Sequence, residues 1–446
     1  MDRGVVSSPL DHSPASQIVT RRLPPPSLMV SKEGRRRRRR RSGGEDRISG
    51  LPDELLHDIL VRLRCARAAA RTSVLSRRWR HLWADVPELV LVDGPDAPPP
   101  PSSRPASFVD TVDAALDAHA APTLDRLLIA LSASDVGSTG AIPAARAAPW
   151  LRFAAVRVAG SLLLLVPPRL SYLHPVTLQE LPLPACARAK TITLKLQDTW
   201  LLRPAAPAPA PAGVFTFTAL TALTILYGRM DGGELSALVS STRCPCLRDL
   251  KLRLTLLDDT SDDDVVSIRS DTLRSLWFCI WTHIRRLRLV SPCPSFQSWF
   301  GQGDYADDSH QFVDVSRRLH LLDITPDRRS AVALTSLLQK FDEVDELRLI
   351  VHIPQGAAGY ESFLNETSRL PKCKTLKINL ERNGHGLAPS MFHFLKNCTS
   401  AKKVSVRLLD LDEDSQHYSC PLSCPCRSTE SCRIDDIGSF EEVQNQ

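Results

Sequence analysis

A six-residue pattern, apolar-x-x-apolar-x-apolar, returns ten times between positions 124 and 406 and restricts the fold more than any other feature of the chain. Its central apolar residues are Leu127, Val156, Ile192, Leu223, Leu250, Leu276, Leu322, Leu347, Leu376 and Val404, as in LTALTI (Leu220, Leu223, Ile225) or FAAVRV (Phe153, Val156, Val158). The steps between them run from 25 to 36 residues, apart from one of 46 between Leu276 and Leu322. Alternation places two side chains of each short strand on one face. A unit this small cannot bury that face by itself, so it must stack on its neighbours, strand beside strand, while the chain returns on the outside. The expected class is α/β, a solenoid with parallel strands on its concave face. Gly233–Ser241 and Ser330–Phe341 carry helical spacing and fit the returns. The long step holds an insertion or conceals a unit, for which HIRRLRLV, His283–Val290, offers a strand.

Most steps lie in or just above the ~20–29 residue period of leucine-rich repeats. The asparagine or cysteine that such repeats place three residues after the last apolar anchor is missing: Gly228, Thr255, Trp281, Asp327, His352 and Glu381 stand there. That removes the usual side-chain ladder for backbone groups behind the strands. An irregular leucine-rich-repeat solenoid over 108–412 is therefore expected, with an unrelated α/β domain of short strands as the alternative.

Upstream, LPDELLHDILVRL places Leu51, Leu55, Ile59 and Leu63 at helical spacing, with Leu56 and Leu60 beside them. Pro52 suits a first helical turn, and Asp53 and Glu54 complement the helix dipole there. ARAAARTSVL reads as a second helix, and Ser76 is placed to cap a third that carries Leu75, Trp79, Leu82 and Trp83 on one face. Three short helices cannot bury this much apolar surface among themselves. They pack either on the rest of the chain or on another polypeptide.

The stretch DRISGLPDELLHDILVRLRCARAAARTSVLSRRWRHLW closely resembles the plant F-box, from its Leu-Pro-Asp-Glu-Leu start to its Arg-Trp-Arg-x-Leu-Trp finish. The resemblance implies a short trihelical F-box over 46–92 that docks the Skp-type adaptor of a Skp–cullin–F-box ubiquitin ligase. In that family, positions matching Leu51, Pro52, Leu55, Ile59, Leu60, Leu75 and Trp79 form the adaptor interface or the small core behind it. The succession of F-box, degenerate repeats and the closing segment CPLSCPCRSTESCRIDDIGSFEEV resembles plant F-box proteins with leucine-rich repeats and an FBD-like tail. By that resemblance the chain is a non-catalytic substrate receptor, linked through the adaptor to a cullin-RING ligase and holding a protein target of unknown identity. A ligand-dependent, hormone-type receptor and a non-degradative scaffold are the alternatives.

Composition sharpens this. The net charge of +6 is misleading, because removing the seven consecutive arginines Arg35–Arg41 leaves −1 for everything else. The arginine run is a nuclear import signal or merely solvated, and with no interleaved aromatics it is not expected to bind nucleic acid. Residues 1–45 read as a disordered leader, 93–107 as a proline-rich linker and 413–446 as a cysteine-rich tail. The longest oily run, Leu162–Val166, is far shorter than the ~20 residues of a membrane span. Twelve cysteines without an export signal suit reduced thiols inside the cell, in nucleus or cytoplasm.

Nucleophile-elbow, phosphate-loop and zinc-peptidase motifs are all missing. The acidic run Asp258–Asp264 lacks the spaced ligands and glycine of a hard-cation loop. Cys420, Cys424, Cys426 and Cys432, with His417 nearby, are spaced C-x3-C-x-C-x5-C, which lacks the second knuckle of a zinc site. No metal and no cofactor are expected. Trp277, Trp281, Arg348 and Lys377, on or beside expected strands, are the candidate substrate-binding residues, since large aromatics and arginine anchor interfaces.

Overall fold

The computed structural model describes residues 50–63, 66–92, 107–132, 142–168, 177–205, 217–257, 265–280, 286–291, 297–303, 310–326, 337–409, 421 and 423–427. The leader with Arg35–Arg41, the linker up to residue 106, the acidic run 258–264, Trp281, His417, Cys420 and Cys432 lie outside them. A first unit, Met1–Leu51, contributes only Gly50 and Leu51 to the described residues; everything else belongs to the second, Pro52–Gln446.

The second unit opens with a helical module: α1 (Asp53–Arg62), α2 (Ala66–Arg71), a 3-10 turn (Thr72–Val74), the single-turn α3 (Trp79–Leu82) and a 3-10 turn (Trp83–Asp85). The third helix is shorter than the spacing predicts. It begins at Trp79, no side chain caps it, and Leu75 stands before it in a turn, so the role expected of Ser76 is not realised.

A mixed α/β body follows. Its main sheet runs β1 (Glu88–Val92), β2 (Leu124–Ala130), β3 (Val158–Leu165), β5 (Thr191–Lys195), β7 (Ala222–Met230), β8 (Asp249–Leu256), β10 (Ser275–Ile280), β12 (Ser298–Gly303), β14 (Arg318–Pro326), β15 (Glu343–His352), β16 (Lys372–Glu381) and β17 (Lys403–Leu408). Every described pairing in it is parallel. Parallel neighbours need a crossover, and one element sits in nearly every crossover. These are α4 (Phe108–Ala118), α5 (Ala144–Arg157), β4 (Gln179–Leu183), β6 (Trp200–Pro204), α6 (Gly232–Leu238), β9 (Val265–Arg269), β11 (Arg286–Val290), β13 (His310–Val313), α7 (Gly356–Glu366) and α8 (Leu387–Asn397). Three of these returns, β9, β11 and β13, pair in parallel as a second sheet.

Local chemistry starts the helices. Ser107 accepts from the Asp110 amide at 3.2 Å and Asp231 from the Glu234 amide at 2.8 Å, each satisfying a donor left open at a helix start. Pattern fixes the faces. Leu127 and Ile129, Ile192 and Leu194, Leu223 and Ile225, Leu347 and Leu349 are buried in register, and the alternate residues are not.

Two strands differ from the sequence reading. FAAVRV does not form the strand centred on Val156: that residue lies near the end of α5 and is 70% exposed. Ala147, Trp150, Leu151 and Ala154, at i, i+3, i+4 and i+7, form the buried stripe of α5, and the strand is the oily run itself, with Leu162 in register with Leu127 and Ile192. In the long step, His283–Val290 does not fill the main sheet, because its described strand β11 belongs to the second sheet. The missing unit is β12, whose buried Trp299 pairs with Leu276 on one side and Leu322 on the other, dividing the interval into two steps of 23.

The absent asparagine ladder is replaced piecemeal. His352 and Glu381, both at its expected positions, are register partners joined through Nδ1 and Oε2. Buried Gln197 accepts from the Ile142 amide at 3.1 Å, and Asn383 donates to the Ile353 carbonyl at 2.8 Å. Of the expected returns, Gly233–Ser241 contains most of α6, while Ser330–Phe341 is described only from residue 337. Among the described residues, no helix is long and apolar enough to cross a membrane.

Candidate functional site

Helix α1 has two apolar faces. Leu56 and Leu60 are buried, whereas Leu55, Ile59 and Leu63 are 47%, 41% and 42% exposed. The turn after α2 adds Val74 and Leu75, at 85% and 64%. Single exposed apolar residues are ordinary, but five within residues 55–75 mark a surface that gains from being covered. Behind it, Leu60, Ala69, Trp83, Val86 and Leu89 line a small crevice between the module and β1, and Trp79 and Leu82 are buried. Arg78 Nε donates to Asp53 Oδ1 at 2.8 Å, tying the approach to α3 to the first turn of α1.

The expected docking residues therefore divide. Pro52, Leu55, Ile59 and Leu75 are exposed, while Leu60 and Trp79 are interior. Leu51, the last residue of the first unit, is half-buried. Leu63 has the same spacing as Leu55 and Ile59 and could have been chosen with them. Val74 could not, because its exposure depends on a 3-10 turn that the sequence does not separate from a helix.

On the main sheet, Lys251, Trp277, Phe300, Asp323, Arg348, Lys377 and Ser405 are successive register partners. Three of the four expected substrate-binding residues thus share one row, and Trp281 lies outside the described residues. The Lys251 ammonium sits 4.5 Å from the centre of the Trp277 ring. A bulge between β7 and β8 turns out Tyr227 at φ 62°, with Lys195 and Arg253 at 5.9 and 5.2 Å from its ring. Only the Tyr-Gly pair inside β7 could have signalled it. Towards β16 the row becomes ionic: Glu346 takes Arg348 at 2.7 Å and Lys377 at 2.8 Å, and Lys377 followed by Arg348 holds its carboxyl below the usual range.

Residues 48–91 match the F-box domain family. That segment is an F-box. Over 231 residues it is 29% identical to a probable FBD-associated F-box protein of Arabidopsis thaliana, covering 52% of this chain and 49% of that one. It is 38% identical over 159 residues to the meiotic F-box protein MOF of Oryza sativa subsp. japonica, covering 33% and 32%. F-box/LRR-repeat protein 25 of Arabidopsis thaliana is 54% identical over 44 residues, 10% and 17% of the two chains. The chain spans half or less of the length of these relatives. The F-box match contains all seven expected docking residues, and its relatives are plant F-box proteins of the FBD and leucine-rich-repeat kinds.

One carboxylate of the main sheet gives a pH prediction. Burial pushes Asp323 up to about 6, against the pull of Arg348, which stands 3.7 Å away and is closer to Glu346. The fold therefore favours neutral Asp323. This contribution is complete below its unfolded value of 3.8 and is lost as pH rises through about 6. Asp323→Asn, permanently neutral, is expected to gain on the order of 2 kcal/mol at pH 7.5 and nothing near pH 4. Urea titrations at the two pH values check this; a gap that does not vary with pH refutes it.

Proposed function

We propose that this F-box protein is the substrate-recognition subunit of a Skp–cullin–F-box ubiquitin ligase. Its F-box docks the Skp-type adaptor, and its parallel sheet is an irregular leucine-rich-repeat solenoid whose open face holds a protein target. The observation carrying the reading is the set of exposed Leu55, Ile59 and Leu75 inside the matched F-box segment, with Leu60 and Trp79 as the core that presents them. Leu51 and Pro52 belong to the same proposed interface. On the sheet, the aromatic and cationic row from Lys251 to Lys377 is the proposed target surface, with Trp277, Arg348 and Lys377 as anchors.

No bond-making is asked of the chain. Holding a target beside the charged ubiquitin-carrying enzyme raises effective concentration, and that is the whole contribution. The test is co-purification of the tagged full chain with a Skp-type adaptor and a cullin, followed by quantitative proteomics after its depletion. The adaptor is expected to co-purify and at least one captured protein to accumulate on depletion. Failure to recover the adaptor refutes the docking role; recovery without any stabilised protein refutes the receptor role.

A further inference from the structure

The loop after β16 and the C-terminal 3-10 turn (Pro425–Arg427) bring a histidine to two cysteines that lie 39 and 41 residues further along the chain. His385, Cys424 and Cys426 are all buried, and their ligand atoms lie within 4.8 Å of one another. Asn383 and Gly384, at φ 47° and 87°, turn the loop back. His385 then follows, and Gly386 caps α8. A Cβ on Gly386 would stand 3.0 Å from the Cys426 carbonyl oxygen, so the glycine permits the close approach of the turn.

The orientation of the imidazole is fixed. His385 Nε2 is 2.8 Å from the Pro354 carbonyl oxygen, which can only accept, so Nε2 carries the hydrogen. In the neutral ring Nδ1 then holds the lone pair. Nδ1 lies 3.4 Å from Cys426 Sγ and 3.6 Å from Cys424 Sγ. A tetrahedral zinc ion with ordinary zinc–sulfur and zinc–nitrogen bonds sets such donors about 3.6 Å apart. One lone pair accepts one thiol hydrogen well, whereas two thiolates and an imidazole around a cation satisfy all three groups together. A ligand histidine that donates its other nitrogen to a carbonyl is the usual arrangement around protein-bound metals.

We propose that His385 Nδ1, Cys424 Sγ and Cys426 Sγ form a zinc site that pins the C-terminal turn to the loop between β16 and α8. Binding releases the two thiol protons to solvent, and a water or a further donor completes the four-coordinate ion. The donor set of two thiolates and one imidazole selects zinc over magnesium or calcium. The contrast with the other buried cysteines is chemical. Burial pushes Cys186 and Cys244 up to about 12, and no other cluster of this kind occurs among the described residues. The spacing of the four tail cysteines did not reveal this set, because its third member comes from about forty residues upstream.

The test uses the reduced full-length protein and cobalt(II) as a spectroscopic probe. One cobalt per chain should give tetrahedral ligand-field bands and a thiolate charge-transfer band, both abolished by an equivalent of zinc. Cys424→Ser with Cys426→Ser should remove the charge-transfer band. His385→Gln should shift the ligand-field bands and weaken zinc binding by at least about tenfold. Cys373→Ser with Cys398→Ser, at the other buried cysteine pair, whose sulfurs lie 2.9 Å apart, should leave the spectrum unchanged. Zinc should also protect Cys424 and Cys426 of the unsubstituted chain from alkylation, as read by peptide mass, which does not depend on any variant folding. Absence of the thiolate band, its persistence without Cys424 and Cys426, an unaltered spectrum in His385→Gln, or protection confined to other cysteines would overturn the site.

Discussion

Leu55→Asp combined with Ile59→Asp is expected to reduce capture of a Skp-type adaptor at least about a hundredfold while leaving the fold in place. Both side chains are roughly half exposed, one helical turn apart on the outer face of α1. If the adaptor covers them, each contributes up to about 1.5–3 kcal/mol of apolar burial, so losing both costs two or more decades of affinity before any penalty for burying the aspartates. In the free protein the same changes fall on the water-facing side and should alter stability by no more than about 1 kcal/mol. Leu60→Ala is the necessary contrast. It removes a buried side chain, costs about 2–5 kcal/mol and weakens capture only through the module's own stability. Calorimetric titration with purified adaptor, beside thermal melts, separates the two. Undiminished affinity in the double variant would move the docking surface away from α1.

How much of this could be read from the residues depends on what each signal measures. The hexad pattern measures alternation, and it located the strands at Ile192, Leu223, Leu250, Leu347 and Leu376, where two apolar residues flank a polar one. It misses LLLLV because a run with every position apolar carries no alternation, and FAAVRV in the tail of α5 matches the pattern in its place. It failed at SWFGQG because Gly301 occupies the position where Phe278 and Ile324 supply the second apolar side chain. It succeeded too easily at HIRRLRLV, whose β11 has the right alternation but pairs with β9 and β13. Alternation identifies a strand and says nothing about its sheet. The apolar residues of α1 were legible because helical period and family resemblance pointed to the same positions, but neither could tell exposed Leu55 from buried Leu60. That distinction comes from which side β1 covers. The cysteine–histidine cluster was invisible for a different reason: spacing motifs detect ligands on one segment, and His385 arrives from the loop after β16.

Trp299→Ala should be strongly destabilising, and comparing it with Trp277→Ala tests the assignment of the two sheet faces. Both tryptophans lie on adjacent parallel strands, β12 and β10, but at positions of opposite parity: Trp299 pairs with Leu276, and Trp277 with Phe300. Trp299 is fully buried and sits between Phe278, stacked at 6.5 Å, and Phe312 of the second sheet, edge-on at 5.1 Å; Phe341 continues the column at 5.3 Å from Phe312. One side chain thus bridges the main sheet and the β9–β11–β13 layer. Truncating it leaves a cavity that rings held by two sheets cannot collapse to fill, at a cost of about 3–5 kcal/mol and a Tm lowered by roughly 10 °C. Trp277 is only half-buried and leans on Lys251, so its truncation should cost about 1 kcal/mol or less. If the two variants melt together, or Trp277→Ala falls further, the buried and open faces have been exchanged. The row proposed to hold a target would then be core. If they separate as expected, a large aromatic kept half-exposed at little benefit to the fold is left for a partner to use.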